Sequence, residues 1–121
     1  MMQQQPLGWI SYWKPKDEWY YLPRNKREEL LERWEGIRQE AISQGARRAA
    51  TYECRANTRW ARVSVWEFPD LGLLTNMVTE LEEASYYQYF AEHNAFGRRT
   101  DDPYEKYMVA ADLTTSDPVG T

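Results

Sequence analysis

Residues 47–68, with the sequence RRAATYECRANTRWARVSVWEF, decide the fold of this chain of 121 residues. Apolar and polar side chains alternate in two runs of this stretch, about 47–54 and 60–68, and a period of two predicts two β-strands. Residues 55–59 between the runs are few enough for a hairpin, so the strands are expected to pair antiparallel. The rest of the fold must therefore be arranged around this hairpin.

One helix is predicted on each side of the hairpin. Before it, apolar residues recur on a single stripe at helical spacing, which predicts a helix over about 25–44 with Asn25 as its N-cap. Gly45 suits the left-handed residue that ends such a helix. After the hairpin, Asp70 is the expected N-cap of a second helix over about 70–83.

Two outer strands complete the pattern. Residues 8–14 are rich in aromatic and β-branched side chains and predict a first strand. A short helix over about 85–92 and a polar turn over 98–103 precede a last strand, predicted over about 104–112. The resulting order is β-α-β-β-α-β, which is the ferredoxin-like arrangement of the α+β class, with one four-stranded antiparallel sheet.

Length and composition exclude several classes of function. We expect one domain over residues 8–112, with a disordered tail at 1–7 and a flexible tail at 113–121. The chain has 15 basic and 19 acidic residues, and a net charge of -4 does not favour a nucleic-acid partner. No apolar run is long enough to span a membrane, and the first residues lack the pattern of a secretory signal. The expected location is therefore the cytoplasm.

Cys54 and His93 are the only cysteine and the only histidine of the sequence. An intrachain disulfide and a zinc site of the Cys/His type are therefore excluded, while a site made of carboxylates stays open. Motifs for nucleotide, nicotinamide or hydrolase chemistry are absent from the sequence, so we predict neither a metal nor a cofactor. Cys54 is interpreted as a small buried hydrophobe.

The face of the sheet that the helices leave uncovered decides the expected assembly. The sequence holds 6 Trp and 9 Tyr, and aromatic residues fall on both faces of the predicted strands. A monomer would then expose a large apolar patch, so we expect a homodimer formed sheet to sheet, with a cavity between the two sheets. Such a cavity suits a small apolar or aromatic ligand. The residues predicted to surround that ligand are Trp9, Tyr12, Trp13, Tyr52, Trp66 and Tyr107. Ring packing across the dimer, without a void, is the alternative.

His93 is the first candidate for a catalytic group. It could act as a general base, because histidine alone has an unperturbed pKa near neutral pH. It could also be the axial ligand of a haem, since one histidine per protomer suffices. The third interpretation is a hydrogen-bonded histidine at the protein surface.

Glu53 and Glu67 are two further candidate bases, each in the middle of a predicted hairpin strand. A carboxylate that faces an enclosed barrel would have a raised pKa and could accept a proton. In the alternative interpretation both side chains point outward and form ion pairs with Arg48, Arg55 or Arg62.

Several short motifs together resemble a known group of proteins. They are Trp13-Lys14-Pro15, Trp19-Tyr20, Leu22-Pro23, Phe68-Pro69-Asp70 and Tyr86-Tyr87-Gln88-Tyr89-Phe90, with Asn94, Ala95 and Gly97 beyond them. Over residues 8–97 the chain resembles small bacterial proteins of the dimeric α/β-barrel superfamily, near a family of uncharacterised proteins, with darcynin-like proteins as a looser relative. The resemblance implies a ferredoxin-like protomer that pairs into a β-barrel.

The same resemblance implies a range of functions. The superfamily includes cofactor-independent monooxygenases acting on polyketide-like phenols, polyketide cyclases, muconolactone isomerase, haem proteins such as chlorite dismutase, and regulatory ligand-binding domains. We therefore expect a cofactor-independent enzyme of oxygenase, isomerase or cyclase type, with an aromatic or polyketide-like substrate. The alternatives are a non-catalytic ligand-binding or accessory protein and a haem-binding member of the superfamily.

Overall fold

The computed structural model describes residues 5–56 and 58–100. In these ranges the strands are β1 (Leu7–Pro15), β2 (Arg47–Glu53), β3 (Arg62–Phe68) and β4 (Phe90–Arg98). The helices are α1 (Asp17–Tyr20), α2 (Arg24–Ser43), α3 (Leu71–Glu83) and α4 (Tyr86–Tyr89). The strands form one antiparallel sheet in the order β2-β3-β1-β4. This architecture confirms the predicted α+β, ferredoxin-like fold, with the hairpin of β2 and β3 where the alternation places it.

Helix α2 begins slightly earlier than the sequence predicts. Pro23 is the residue before its first turn, and the Pro23 carbonyl accepts the backbone N–H groups of Lys26 and Arg27 at 3.1 Å each. The φ of Pro23 is −60°, which already suits a helix, so the chain turns there without a side-chain cap. Asn25 lies inside the first turn, and its prediction as N-cap was wrong.

Two other predicted helix boundaries, one at the end of α2 and one at the start of α3, are confirmed. Gly45 has a φ of +115°, a backbone conformation that residues with a Cβ rarely adopt, and it follows the last turn of α2. Asp70 is the N-cap of α3, and its Oδ1 accepts the backbone N–H of Leu73 at 2.8 Å. Local signals in the sequence were sufficient for both positions.

The fourth strand lies earlier in the chain than the sequence predicts. The predicted short helix ends at Tyr89, and β4 then pairs with β1 from Phe90 opposite Pro15 to Arg98 opposite Leu7. The sequence of β4 contains no Val, Ile or Thr, so its strand conformation depends on the pairing with β1 more than on local preference. The strand predicted over 104–112 lies outside the described residues.

The two faces of the sheet have different surroundings. On the helix face, α2 and α3 cover the side chains of Leu7, Trp9, Ser11 and Trp13 in β1 and of Ser64, Trp66 and Phe68 in β3, most of which are buried. On the open face, the helices do not cover the side chains of Ile10 and Tyr12 in β1 or of Val63, Val65 and Glu67 in β3. The alternation of β1 in the sequence anticipated this separation.

The core on the helix face is built mainly from aromatic rings. Trp34 of α2 is fully buried at its centre, with ring centroids of Tyr86, Trp19 and Phe90 at 5.1, 5.5 and 5.6 Å. Its indole Nε1 donates a hydrogen bond of 3.0 Å to the Ala84 carbonyl. This single side chain therefore joins α2 to the segment between α3 and β4.

We expect Trp34→Ala to lower the free energy of unfolding by about 3–5 kcal/mol, because it removes a buried ring and leaves the Ala84 carbonyl without its donor. Trp34→Phe keeps part of the packing and should cost less. Urea denaturation followed by circular dichroism measures both changes. The control is Arg33→Ala on the exposed side of α2, and a similar loss in both alanine variants would contradict this account of the core.

Candidate functional site

A cavity of about 130 Å³ lies between the helix face of the sheet and α2. All four strands contribute to its floor, and Leu31, Trp34 and Arg38 of α2 form its roof. The helical spacing of these three residues, at i, i+3 and i+7, turns them to the same side. The residues that complete the lining are Trp9, Ser11, Trp13, Arg48, Thr51, Ser64, Trp66, Tyr86, Phe90 and Glu92.

A row of hydrogen-bonding residues crosses the floor of this cavity. The strand register places Thr51 opposite Ser64, Ser64 opposite Ser11, and Ser11 opposite Asn94, one residue from each strand. The Trp13 Nε1 donates to the Ser64 Oγ at 3.0 Å, and the Ser64 and Thr51 hydroxyl oxygens lie 3.2 Å apart. These hydroxyls therefore satisfy one another within the protein.

Ser11 differs from the other hydroxyls of this row. The residue is 2% exposed, and its Oγ has no hydrogen-bond partner among the described residues. A buried hydroxyl without a partner costs about 1–3 kcal/mol of stability. Since Ser11 also belongs to the lining of the cavity, its buried hydroxyl lies next to the space that a bound molecule would occupy.

Aromatic rings form most of the cavity walls. Trp9 and Trp66 are cross-strand neighbours with centroids 6.4 Å apart, and Tyr86 stacks on Phe90 with centroids 5.1 Å apart and planes at 2°. Burial raises the pKa of the Tyr86 phenol, and the nearby Glu92 carboxylate raises it further, so this phenol stays protonated. The walls are thus flat and apolar, with few polar groups between them.

Three charged side chains line the cavity, and two of them have partners. Arg48 makes a bidentate ion pair with Glu35 and lies over the Trp66 ring, 5.3 Å from its centroid. The hydrogen bond from Arg48 lowers the pKa of Glu35 from 4.5 to about 2. Glu92 accepts hydrogen bonds from the Tyr87 hydroxyl at 3.1 Å and from the side-chain amide of Asn94 at 3.2 Å.

Arg38 is the third charged side chain. Its guanidinium lies over the Tyr86 ring, 5.1 Å from the centroid, and the residue is half-buried. Among the structurally described residues, Arg38 has neither an ion pair nor a hydrogen bond to its side chain. Its donors therefore remain available at the cavity.

The open face of the sheet carries a second, shallower hollow of about 360 Å³. The register arranges this face in three rows: Tyr52, Val63, Tyr12 and His93; Ala50, Val65, Ile10 and Ala95; and Arg47, Glu67, Gly8 and Gly97. The hollow lies over the second and third rows, where Gly8 and Gly97 face each other without side chains. The middle row is wholly aliphatic, which gives this face its apolar centre.

The predicted ligand-binding residues divide between the two faces. Trp9, Trp13 and Trp66 line the cavity on the helix face. Tyr12 and Tyr52 share a row on the open face, and Tyr107 lies outside the described residues. Sequence alternation had placed these rings on both faces, but it could not show which face encloses a cavity within a single protomer.

The three predicted bases do not come together. His93 is exposed on the open face between Tyr12 and Trp60, with centroid distances of 6.5 and 6.2 Å. None of the three lines the cavity under α2. Glu53 pairs with Arg55 at 3.0 Å and Arg62 at 3.6 Å, and Glu67 pairs with Arg47 at 2.9 Å and Arg99 at 3.6 Å.

Sequence reasoning missed the polar residues of the cavity, among them Ser11, Arg38 and Glu92. The signal for Ser11 was present, because it alternates in phase with Trp9 and Trp13. Arg38 and Glu92 gave no comparable signal, since charged residues on a helix and on an edge strand are usually solvated.

Neither a cluster of metal-binding side chains nor a membrane-spanning helix is found in the described part of the chain. No group of three or more His, Cys, Asp or Glu side chains within residues 5–56 and 58–100 is placed to hold a metal ion. None of the helices there combines the length and the apolar composition that a membrane span requires.

Comparison with solved structures places this chain in a recognisable structural class. It is similar to a chlorite dismutase variant from Candidatus Nitrospira defluvii, with a TM-score of 0.69 and 11% identity over 83% of this chain and 42% of that chain. A protein provisionally named as a chlorite dismutase matches with a TM-score of 0.65 and 18% identity, over 83% of this chain and 46% of that chain. A haem-binding protein from Thermus thermophilus matches with a TM-score of 0.61 and 14% identity, over 85% of this chain and 47% of that chain. The chain is therefore a ferredoxin-like protein of the chlorite dismutase type of fold, and it spans less than half the length of these structures.

A match to a sequence model identifies the family of this chain. The chain belongs to a family of unknown function (DUF6616), whose sequence model matches residues 8–108. No curated protein matches the chain. The looser likeness to darcynin-like proteins stays a prediction.

Because one structural neighbour is a haem-binding protein, the fit of a haem to the cavity under α2 is a relevant question. The single histidine, His93, lies on the opposite face of the sheet and cannot reach it. The raised pKa of Tyr86 disfavours the phenolate form that would bind iron. A cavity of about 150 Å³ holds one benzene ring, and this cavity is no larger. The residues around it do not fit a haem.

We expect Glu35→Gln to destabilise the protein at neutral pH by no more than about 1 kcal/mol, because the ion pair with Arg48 is partly exposed. A carboxylate with a lowered pKa stabilises the folded state above pH 4.5, and that stability is lost as the pH falls toward 2. Urea denaturation at several pH values should therefore show the two proteins converging in acid. In an Arg48→Gln background the Glu35→Gln substitution should have little effect on the free energy of unfolding at any pH. If Glu35→Gln lowers that free energy by the same amount in this background, its effect does not come from the ion pair with Arg48.

Proposed function

We propose that this protein binds a small ring-shaped molecule in the cavity under α2. The observation that carries the proposal is the Ser11 hydroxyl, which is buried beside an aromatic cavity and has no hydrogen-bond partner within residues 5–56 and 58–100. A ligand that hydrogen-bonds to Ser11 would offset the cost of its burial. The site is thus a property of each protomer and does not require a second copy.

The dimensions and walls of the cavity support the class of ligand. A volume of about 130 Å³ suits one six-membered ring with small substituents. Flat walls of tryptophan and tyrosine favour an aromatic ring by stacking and edge contacts. This agrees with the aromatic ligand expected from the sequence, but in a different place from the predicted space between two sheets.

A cofactor-independent enzyme is the second candidate, and the position of Glu92 favours it. Its carboxylate lines the same cavity as Ser11, so a bound ring with an acidic proton could lie between a base and a hydroxyl donor. Isomerase or cyclase chemistry needs this pair of groups. Glu67 and His93, two of the bases predicted from the sequence, would require a second site on the open face, and Glu53 lies on the helix face opposite Arg62 but outside the cavity lining.

A homodimer through the open face is the other part of the proposal. Ile10, in the aliphatic middle row, is 41% exposed, and Tyr52 is 61% exposed. A Cβ at Gly97 would meet nothing within 4 Å, and one at Gly8 would make only ordinary contacts. Packing inside the protomer thus gives no reason for these two glycines, whereas the close approach of a second copy's sheet does.

If the ligand binds in this cavity, wild-type protein should bind phenol more tightly than benzene. Ser11→Ala should then lower the affinity for phenol about fivefold and leave the affinity for benzene unchanged. Tryptophan fluorescence measures both affinities, because four tryptophans line the cavity. The matched control is Tyr12→Ala, which alters the neighbouring residue on the open face. Loss of phenol binding in Tyr12→Ala but not in Ser11→Ala would refute the site under α2 in favour of one on the open face.

The dimer is expected to dissociate when a charge is placed in the aliphatic row of the open face. Ile10→Lys and Ala95→Lys should each convert a dimer into a monomer in sedimentation velocity, because an unpaired cation would be buried between the sheets. Ala95 is exposed on β4, so its variant tests the interface with less risk to folding. Leu71→Lys, at an exposed leucine of α3, is the control that should leave the dimer intact. A wild-type monomer would reject this interface.

A further inference from the structure

The cavity under α2 presents charged groups of both signs to a ligand. Arg38, Arg48 and Glu92 are the charged residues of its lining. Arg48 is engaged by Glu35 through two hydrogen bonds, and the Glu92 carboxylate accepts hydrogen bonds from the neutral side chains of Tyr87 and Asn94. Among the described residues, Arg38 forms no ion pair, so its guanidinium is the cationic group at the cavity whose donors are not engaged by a carboxylate.

The local packing keeps this cation at the cavity. Arg38 follows Trp34 by one helical turn on the side of α2 that covers the sheet. Its guanidinium lies 5.1 Å from the centroid of the Tyr86 ring, and this cation–π contact orients the group without using its N–H donors. A planar guanidinium with free donors binds a carboxylate in a bidentate manner.

We propose that the ligand of this cavity is a single-ring aromatic carboxylic acid, with its carboxylate bound by Arg38 and its ring between the aromatic walls. This inference rests on the proposed function, because it specifies the chemistry of the molecule in the same site. A hydroxyl substituent on the ring would supply the missing partner of Ser11. The proposed class of ligand is therefore the benzoates and hydroxybenzoates.

Benzoate and benzamide provide the direct test, since they have nearly the same shape and differ in charge. Wild-type protein should bind benzoate about tenfold or more tightly than benzamide at neutral pH, by isothermal titration or tryptophan fluorescence. Arg38→Gln should reduce benzoate affinity to that of benzamide, and Arg38→Lys should retain part of the preference. The control is Arg33→Gln, which removes the same charge from the exposed side of α2.

The outcomes separate this inference from the proposal on which it rests. If phenol, benzamide and benzoate all fail to bind wild-type protein, the ligand-binding function itself is rejected. If the neutral rings bind but benzoate has no advantage, only the acid specificity is rejected. An equal loss of benzoate binding in Arg33→Gln and Arg38→Gln would also reject it, because general charge attraction would then explain the preference. The chemical shifts of Arg38→Gln without ligand show whether this variant is folded.

Discussion

The register of β1 between β3 and β4 is the constraint on which this structure depends. Because successive side chains of a strand point to opposite faces, one register fixes the neighbours of every residue in the sheet. Trp9, Ser11 and Trp13 meet Trp66, Ser64 and Arg62 on the helix face. A shift by one position would turn all of these to the open face and would separate the hydroxyl row. The site and the core are therefore set by the same pairing.

On the helix face, tightly packed core residues lie beside a buried hydroxyl that has no hydrogen-bond partner among the described residues. Trp34 and its ring neighbours hold α2 against the sheet, and this dense packing lies beside a cavity that retains an unpartnered hydroxyl. Natural cores rarely keep such a group without a reason, because filling or removing it would raise stability. Ser11 is thus best understood as a group retained for binding, at a cost that the surrounding aromatic packing tolerates.

Local signals in the sequence were enough for much of the fold. Alternation predicts the hairpin of β2 and β3, Asp70 predicts the start of α3, and the order of elements predicts the ferredoxin-like sheet. β4 was misplaced because its residues have little intrinsic preference for a strand and adopt one by pairing with β1. The identity of the strand that completes the sheet is a long-range property, which single-sequence reasoning does not contain.

The candidate site was less accessible to such reasoning. The sequence placed Trp13 and Trp66 at a ligand, since aromatic residues are common in pockets. It could not show that Ser11, Ser64 and Thr51 would stand side by side, because that depends on two strand registers at once. Nor could it distinguish Arg38 from the solvated arginines of α2, since the difference lies in the Tyr86 ring contributed by a distant segment.

The irregular pairing of β2 has a consequence for how the molecule meets other strands. The register shifts between Arg48 and Ala50, so Ala49 is an extra residue and the side chains beyond it change sides. That change is what brings Thr51 into line with Ser64. A bulge also twists the outer margin of a sheet and interrupts its row of free amide and carbonyl groups. The same extra residue that completes the cavity floor therefore protects this margin from strand addition, the first step by which sheet proteins grow into fibrils.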